Sequence, residues 1–132
     1  MADVKRRLAV ARQALKTFDE LDLAAQDPII RDAAIQRFEY SFEATWKAAQ
    51  AVLRAQFGVA AASPKSVIRA SLANGLMDEA QARRALAMVD HRNLTAHTYN
   101  VTLAEEIYAA LPGYRTLLHR WLDRMAAALS PD

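Results

Sequence analysis

The sequence predicts an all-α protein, because residues that interrupt helices are rare and apolar residues recur at helical spacing. Only three glycines and four prolines occur in 132 residues, and these two residue types are the usual breaks in helices. No alternation of apolar and polar residues, the pattern of a half-buried strand, continues for more than a few positions. We therefore expect an up-and-down bundle of four long helices with one additional short helix.

The first two helices are predicted by apolar stripes and by boundary signals. The first should begin near Asp3, and its stripe steps by four and three residues through Val4, Leu8, Ala11, Leu15 and Phe18. The second should begin with Asp27 as N-cap and Pro28 at the first helical position, and Gly58 should follow its end. Its aromatic residues are dense enough to suggest a central helix, in which the set serves the core, a partner surface or both: Phe38, Tyr40, Phe42 and Trp46.

Three further helices follow from similar signals. Ser63 and Pro64 should start a short helix that ends before Gly75. Asp78 and Gln81 form a pattern like a capping box, and the helix that they start should lose order near Asn93.

The last helix should begin at the sequence "TLAE", Thr102 to Glu105, which has the form of a capping box. Its long apolar stripe contains Ile107, Leu111, Tyr114, Leu118, Trp121 and Met125. The pair Pro112 and Gly113 interrupts this stripe, and we expect it to kink or break the helix.

Composition limits the class of protein. The length indicates a single domain over residues 1–132, and 53% hydrophobic residues are enough for a sizeable core. The chain lacks cysteine, which excludes disulfides and thiolate metal sites and fits the cytoplasm. The first residues do not form a signal peptide, and no apolar run is long enough to span a membrane. No cluster of histidine and carboxylate residues has metal-ligand spacing, so we expect neither metal nor cofactor.

The net charge of +2 neither requires nor excludes a nucleic-acid partner. Thirteen of the seventeen basic residues are arginine, which suits bidentate contacts to phosphate. A GC-rich genome explains the same arginine content equally well. Charge alone therefore does not decide the function.

Polar and titratable residues concentrate in "DHRNLTAHTYN", Asp90 to Asn100, between the last two predicted helices. Arg92 and His97 are five positions apart, so a continuous helix would point them about 140° away from each other. They converge only if the helix ends between them or if a second subunit supplies one of them. The weak helix formers between them favour a helix end.

This combination of side chains suits metal-independent cleavage of RNA. A histidine moves a proton near neutral pH, so His97 is suited to act as base or acid on the 2′-hydroxyl or the leaving oxygen. An arginine stabilises the extra negative charge on a reacting phosphate, which is the role expected of Arg92. Asn93 and Thr95 are placed to add hydrogen bonds to the phosphate or to His97.

The segment "RNLTAHTY" resembles the R-x4-H-x-Y signature of the HEPN superfamily. "RFEYSFEATWKAAQ", Arg37 to Gln50, resembles the second helix of one branch of it, the nucleotidyltransferase substrate-binding proteins. Members of this branch are encoded beside a minimal nucleotidyltransferase. In HepT-type pairs the HEPN protein is a ribonuclease toxin, and the nucleotidyltransferase is its antitoxin.

The resemblance implies a HEPN-like helical bundle and a role for each motif residue. Arg92 and His97 match the catalytic pair, and Asn93 matches the polar residue that usually follows the arginine. Tyr99 matches the tyrosine that the partner enzyme modifies with AMP. The resemblance also implies a homodimer in which two motifs line a shared cleft, with RNA as substrate and the cognate nucleotidyltransferase as partner.

A second function class stays open: a non-catalytic subunit that binds substrate for the nucleotidyltransferase. Structural roles are also open for the motif residues. Arg92 would then pair with Asp90 or a glutamate, His97 would cap a helix or enter the core, and Tyr99 would pack under the last helix.

Several polar residues near these segments are expected to have no part in a site. Glu39 and Glu43 can form a carboxylate pair, but a solvated face with Glu43 bound to Lys47 is the favoured interpretation. The remaining basic residues of interest are expected at the surface: His91, Arg115, His119 and Arg120.

Overall fold

The computed structural model of the protein describes residues 1–129, and these residues form helices and connecting turns without any strand. The elements in chain order are α1 (Ala2–Asp19), α2 (Pro28–Phe57), α3 (Pro64–Ala73), α4 (Glu79–Asn93), a 3-10 turn (Thr95–His97) and α5 (Val101–Leu129). Four of the helices are long and α3 is short, so the predicted all-α bundle is confirmed. Buried side chains of all five helices join in one core.

Helix α2 lies at the centre, in contact with α1, α3 and α5. Phe38 and Phe42 are completely buried, and Trp46 packs against the core from a half-buried position. Tyr40 is the exposed member of this aromatic set, and its hydroxyl forms a hydrogen bond with the hydroxyl of Thr17. Most of the aromatic density of α2 therefore serves the core.

The predicted helix boundaries of the first four helices agree with the structure. The Asp27 carboxylate accepts a hydrogen bond from the Ile29 backbone at 2.8 Å. Asp78 and Gln81 exchange the two hydrogen bonds of a capping box, each at 2.8 Å. Gly58 has a φ of 66°, a left-handed conformation that glycine adopts without strain, and ends α2.

The predicted start of α5 at Thr102 is wrong. The Asn100 side chain accepts a hydrogen bond from the Leu103 backbone at 3.2 Å, and its carbonyl accepts one from Ala104 at 3.0 Å. Asn100 is therefore the residue that caps α5, and Thr102 lies inside the first turn. Asparagine is as good an N-cap as threonine or better, so the later capping-box pattern was misleading.

We expected a kink or a break at Pro112 and Gly113, and the break is wrong, because α5 continues through both residues. Proline inside a helix removes one backbone hydrogen bond and costs about 3 kcal/mol. Leu111, Tyr114 and Leu118 are buried on either side of it. Their burial in the core offsets that cost and holds the helix continuous.

His119 and Arg115 contact α1 and the turn that follows it. This corrects the expectation that both side chains are free at the surface. The Nε2 atom of His119 lies 2.9 Å from each carboxylate oxygen of Asp19. Arg115 donates hydrogen bonds to the carbonyls of Phe18 and Leu21 at 3.1 and 3.0 Å. The two hydrogen bonds of Arg115 satisfy carbonyl groups at the C-terminal end of α1. Arg120 is exposed, as expected.

Candidate functional site

The chain turns sharply between α4 and α5, and the motif residues lie on this turn. Helix α4 ends at Asn93, and the backbone then forms three successive tight turns. In these turns the nitrogens of Leu94, His97 and Asn100 donate to carbonyls three residues earlier, at 3.0, 3.0 and 3.1 Å. The helix therefore ends between Arg92 and His97, which is the first of the two arrangements that the sequence left open.

Arg92 lies in the last turn of α4, with its guanidinium against α2. Its Nη2 atom is 2.9 Å from Oε1 of Glu43, and each of the two side chains is 33% exposed. The Nε atom of Arg92 is buried and has no hydrogen-bond partner within residues 1–129. The guanidinium of Arg92 therefore binds one carboxylate, that of Glu43, and its Nε–H group has no hydrogen-bond partner within residues 1–129.

Thr95 connects the turn to the same helix. It is 9% exposed, and its hydroxyl lies 2.6 Å from Oε2 of Glu39 and 2.8 Å from the carbonyl of Arg92. Its one proton can serve only one of these acceptors at a time. The hydroxyl is thus directed into the protein, where it fixes the turn on α2.

The favoured interpretation of Glu39 and Glu43 as a solvated face is wrong. Both reach the α4–α5 junction, although the expected pair of Glu43 with Lys47 is also present at 4.0 Å. The sequence signal was their spacing of four residues on α2, which places them on one face. Only the packing of α2 against the junction shows which cation and hydroxyl they meet.

His97 and Tyr99 are at the surface of the turn. Tyr99 is 83% exposed, and its ring stands nearly perpendicular to that of His97, at 76° with centroids 6.0 Å apart. Asn93 is exposed as well. Within residues 1–129 no hydrogen bond or ion pair joins Arg92 to His97. An imidazole and a phenol are therefore exposed together on the turn that follows Arg92.

His91 is not a solvated residue, which corrects the expectation from sequence. Its Nδ1 atom lies 2.6 Å from the hydroxyl of Tyr114, and its Nε2 atom lies 3.4 Å from Glu106. Burial raises the pKa of the Tyr114 hydroxyl above its ordinary value. His91 thus ties the end of α4 to α5 beneath the exposed motif.

Within residues 1–129, no group of three or more histidine, cysteine, aspartate or glutamate residues is arranged to hold a metal ion. No helix in this range is long and apolar enough to cross a membrane.

The chain matches the family model described as "Nucleotidyltransferase substrate binding protein like" over residues 3–127. A crystal structure of a Thermus thermophilus protein is 52% identical, with a TM-score of 0.83, and the match covers 87% of this chain and 98% of that one. No significant match to a curated protein was found.

More distant solved structures share the fold. A tri-AMPylated Shewanella oneidensis HEPN toxin, in complex with its MNT antitoxin, matches with a TM-score of 0.74 and 17% identity, over 94% of this chain and 96% of that one. A Haemophilus influenzae protein with the fold of a nucleotidyltransferase substrate-binding domain matches with a TM-score of 0.65 and 22% identity, over 95% and 98%. The chain therefore belongs to the family described as nucleotidyltransferase substrate binding protein like.

Proposed function

We propose that the protein is a metal-independent endoribonuclease toxin that acts in the cytoplasm. The observation that carries this proposal is the exposed pair His97 and Tyr99 on the turn that follows Arg92 and the end of α4. A purely structural histidine or tyrosine would be buried or bonded, as His91 and Tyr114 are. The R-x4-H-x-Y motif is complete in this chain.

The proposed reaction is an internal transfer at the RNA phosphate. The 2′-hydroxyl oxygen bonds to phosphorus while the bond from phosphorus to the 5′-oxygen breaks. The proton of the 2′-hydroxyl leaves, the 5′-oxygen gains one, and the products are a 2′,3′-cyclic phosphate and a 5′-hydroxyl. His97 carries out one of these two proton transfers, with water serving the other, and Arg92 stabilises the charge on the phosphate oxygens.

Arg92 must exchange a carboxylate for the phosphate in this reaction. Glu43 keeps a second cation, Lys47, when the guanidinium turns to substrate. Exposed Asn93 is placed to donate a hydrogen bond to the phosphate. Thr95 has an indirect role, because it fixes the turn that carries His97. The sequence suggested a hydrogen bond from Thr95 to the phosphate or to His97, whereas its hydroxyl lies beside Glu39 and the Arg92 carbonyl, which supports the indirect role.

The proposed control of the toxin is AMP transfer to Tyr99 by a cognate minimal nucleotidyltransferase. The phenol oxygen would attack the α-phosphorus of ATP, pyrophosphate would leave, and the phenol proton would pass to a base of the partner enzyme. Of the four tyrosines, Tyr99 is the most exposed. An AMP group there adds a bulky anion beside His97 and competes with RNA for Arg92.

We further propose that the chain forms a homodimer across the α4–α5 junction. Leu94, Tyr99 and Val101 are exposed apolar residues that surround the motif. A second copy would cover Leu94 and Val101, leave the Tyr99 hydroxyl open to the cleft, and bring a second His97 and Arg92 to the same cleft.

RNA cleavage by the purified protein in excess EDTA tests the proposed activity. We expect the wild type to cut, and His97→Ala and Arg92→Ala to lose at least about a hundredfold in rate, the usual effect of a proton-transfer group or a charge stabiliser. His119→Ala and Arg83→Ala are the matched controls, since both side chains contact carboxylates away from the motif. Cleavage that survives His97→Ala would contradict the proposal.

AMP transfer is tested by mass spectrometry after incubation with the cognate nucleotidyltransferase, Mg²⁺ and ATP. We expect the wild type to gain AMP and to lose cleavage activity, and Tyr99→Phe to cut RNA without gaining AMP. Tyr40→Phe is the matched control, because Tyr40 is the other tyrosine with an exposed side chain. Adducts on Tyr99→Phe would contradict the assignment.

A second candidate function is a non-catalytic subunit that binds substrate for the nucleotidyltransferase. The ion pair between Arg92 and Glu43 favours it, because a structural arginine needs such a partner. The description of the matched family also favours it. A wild type that is inert, carries no AMP on Tyr99 and still binds the nucleotidyltransferase would establish this function in place of the first.

A further inference from the structure

A groove between α4 and α5, at the end of these helices away from the motif, is lined by arginine. It consists of two adjoining depressions of about 260 and 330 Å³ that share Gln81 and Arg120. Arg84 lines the first and Arg124 lines the second. We call this feature the arginine groove.

The arginines of this groove have no carboxylate partner within residues 1–129. Arg84 and Arg120 form no ion pair in this range, and Arg124 donates only to the carbonyl of Gly75, at 3.0 Å. By contrast, the neighbouring Arg83 pairs with Glu79 at 3.1 Å on the outer face of α4. The groove therefore holds three guanidinium groups that form no ion pair within residues 1–129.

The two acidic residues at the groove are already engaged. Asp78 accepts the capping hydrogen bond of Gln81 at 2.8 Å. Asp123 pairs with Arg12 of α1 at 2.8 Å. Neither carboxylate is the partner of a groove arginine.

The guanidinium of Arg84 lies against a glycine of the facing helix α5. Its Nη2 atom lies 2.7 Å from the position that a Cβ atom would occupy on Gly113. Any side chain at that position would displace the guanidinium. The absence of a side chain at Gly113 thus lets Arg84 lie against α5, where its charge also acts on the hydroxyl of Tyr114.

The seam between α4 and α5 leads from the groove toward the motif. His91 follows Arg84 by seven residues and therefore lies on nearly the same face of α4. It contacts Tyr114 across the seam at 2.6 Å. Arg92 is eight residues beyond Arg84, about 12 Å along the helix axis. A short single-stranded segment can span this distance.

We propose that the arginine groove binds backbone phosphates of RNA, as a subsite for the part of the strand that flanks the cleavage position. This inference rests on the proposed ribonuclease function and adds the surface that holds its substrate. Guanidinium groups bind phosphate through paired N–H donors and do so without regard to base sequence. The subsite thus supplies affinity, whereas Arg92 and His97 supply the chemistry.

An acidic protein surface is the competing occupant, and the lining of the groove disfavours it. The centre of a protein interface is enriched in aromatic and large apolar side chains. None of the large apolar side chains exposed within residues 1–129 lies in the groove. A polar groove with unpaired guanidiniums instead suits a phosphate backbone.

The test measures RNA binding without cleavage. A fluorescein-labelled single-stranded RNA of mixed sequence is titrated with the His97→Ala protein at several salt concentrations, and anisotropy gives the Kd. We expect Arg84→Ala and Arg120→Ala to weaken binding several-fold each. Each should also reduce the slope of log affinity against log salt by about 0.7, the value for one phosphate contact to a single strand. Arg83→Ala is the matched control and should change neither quantity by as much.

Gly113→Ala moves the guanidinium of Arg84 without removing its charge. It therefore tests whether the position of this charge matters for RNA binding. The new methyl group must push the guanidinium of Arg84 away, which is sterically easy because only the end of a flexible side chain moves. Alanine is also the better helix former, so α5 should not lose stability. We expect weaker RNA binding with an unchanged or higher Tm. Unchanged RNA affinity in Gly113→Ala and Arg84→Ala would overturn the proposal.

Two further outcomes would also overturn it. If Arg83→Ala weakens binding as much as Arg84→Ala, the effect is general charge and the groove is not a subsite. If the groove variants bind RNA normally but lose the nucleotidyltransferase, the groove is a protein interface. Cleavage by the wild type is scored separately, so an inert protein with groove-dependent RNA binding would refute the proposed ribonuclease and not the subsite.

Discussion

The ion pair between Arg92 and Glu43 matters more for orientation than for stability. Both side chains are one-third exposed, and such pairs contribute about 0–1 kcal/mol to folding because water screens them. Their contact nevertheless holds the guanidinium at the end of α4, beside the turn that carries His97. In the proposed reaction, a substrate phosphate would meet an arginine that is already positioned and would have to displace only one carboxylate.

Thr95→Val tests how firmly the turn is attached to α2. Valine keeps the shape of the buried side chain but removes the hydroxyl that lies 2.6 Å from Glu39. We expect the free energy of unfolding to fall by about 1–3 kcal/mol, because a partly buried carboxylate loses its donor. Urea unfolding measures this change. Thr102→Val is the control at an exposed position, and an equal loss in both variants would show that the contact with Glu39 contributes nothing.

At the scale of elements, α5 shows how local signals compete. Two N-cap candidates, Asn100 and Thr102, are two residues apart, and the structure uses the first. Downstream, Pro112 would end an isolated helix, yet the apolar stripe of α5 is buried before and after it. Burial of a whole helix face is worth more than one lost hydrogen bond, so packing overrides the local signal.

Asn100→Ala and Thr102→Ala distinguish the two caps. We expect Asn100→Ala to reduce the free energy of unfolding by about 1 kcal/mol, because the Leu103 backbone loses its acceptor. Thr102→Ala should change stability by less than about 0.5 kcal/mol, as usual for an exposed position. Thermal unfolding followed by circular dichroism gives both values. A larger effect at Thr102 would show that Thr102 caps α5, as the sequence suggested.

At the scale of the whole molecule, exposed apolar surface concentrates around the motif. Three of the nine large apolar residues exposed within residues 1–129 lie in the short segment from Leu94 to Val101. Apolar patches of this kind mark interaction surfaces. A second copy of the chain is the occupant that we propose, because its motif would then complete the cleft.

Val101→Asp tests the proposed dimer. The substitution puts a charge into the apolar patch while favouring the helix, since aspartate is stabilising in the first turn. We expect sedimentation to report a dimer for the wild type and a monomer for Val101→Asp, with unchanged helix content. Val10→Asp is the control, because Val10 is 52% exposed on α1. Dissociation by Val10→Asp alone would move the interface to α1.

Local patterns predicted most of the fold because helix boundaries depend on neighbouring residues. Asp27, Ser63 and Asp78 cap helices by contacts within three residues, so their roles can be read from sequence. The motif at Arg92 and His97 was found in the same way. The partners of the motif were not found, because Thr95 and Glu39 are 56 residues apart and no local pattern relates them.

The sequence by itself determined the helices, the family resemblance and the placement of the motif where α4 ends. It did so because capping, helix propensity and apolar spacing act over a few residues. Only the tertiary structure decided that Glu43 meets Arg92, that Arg84 lies against Gly113 and that α5 continues through its proline. Each of these depends on which helix faces touch, and that choice is made by the core as a whole.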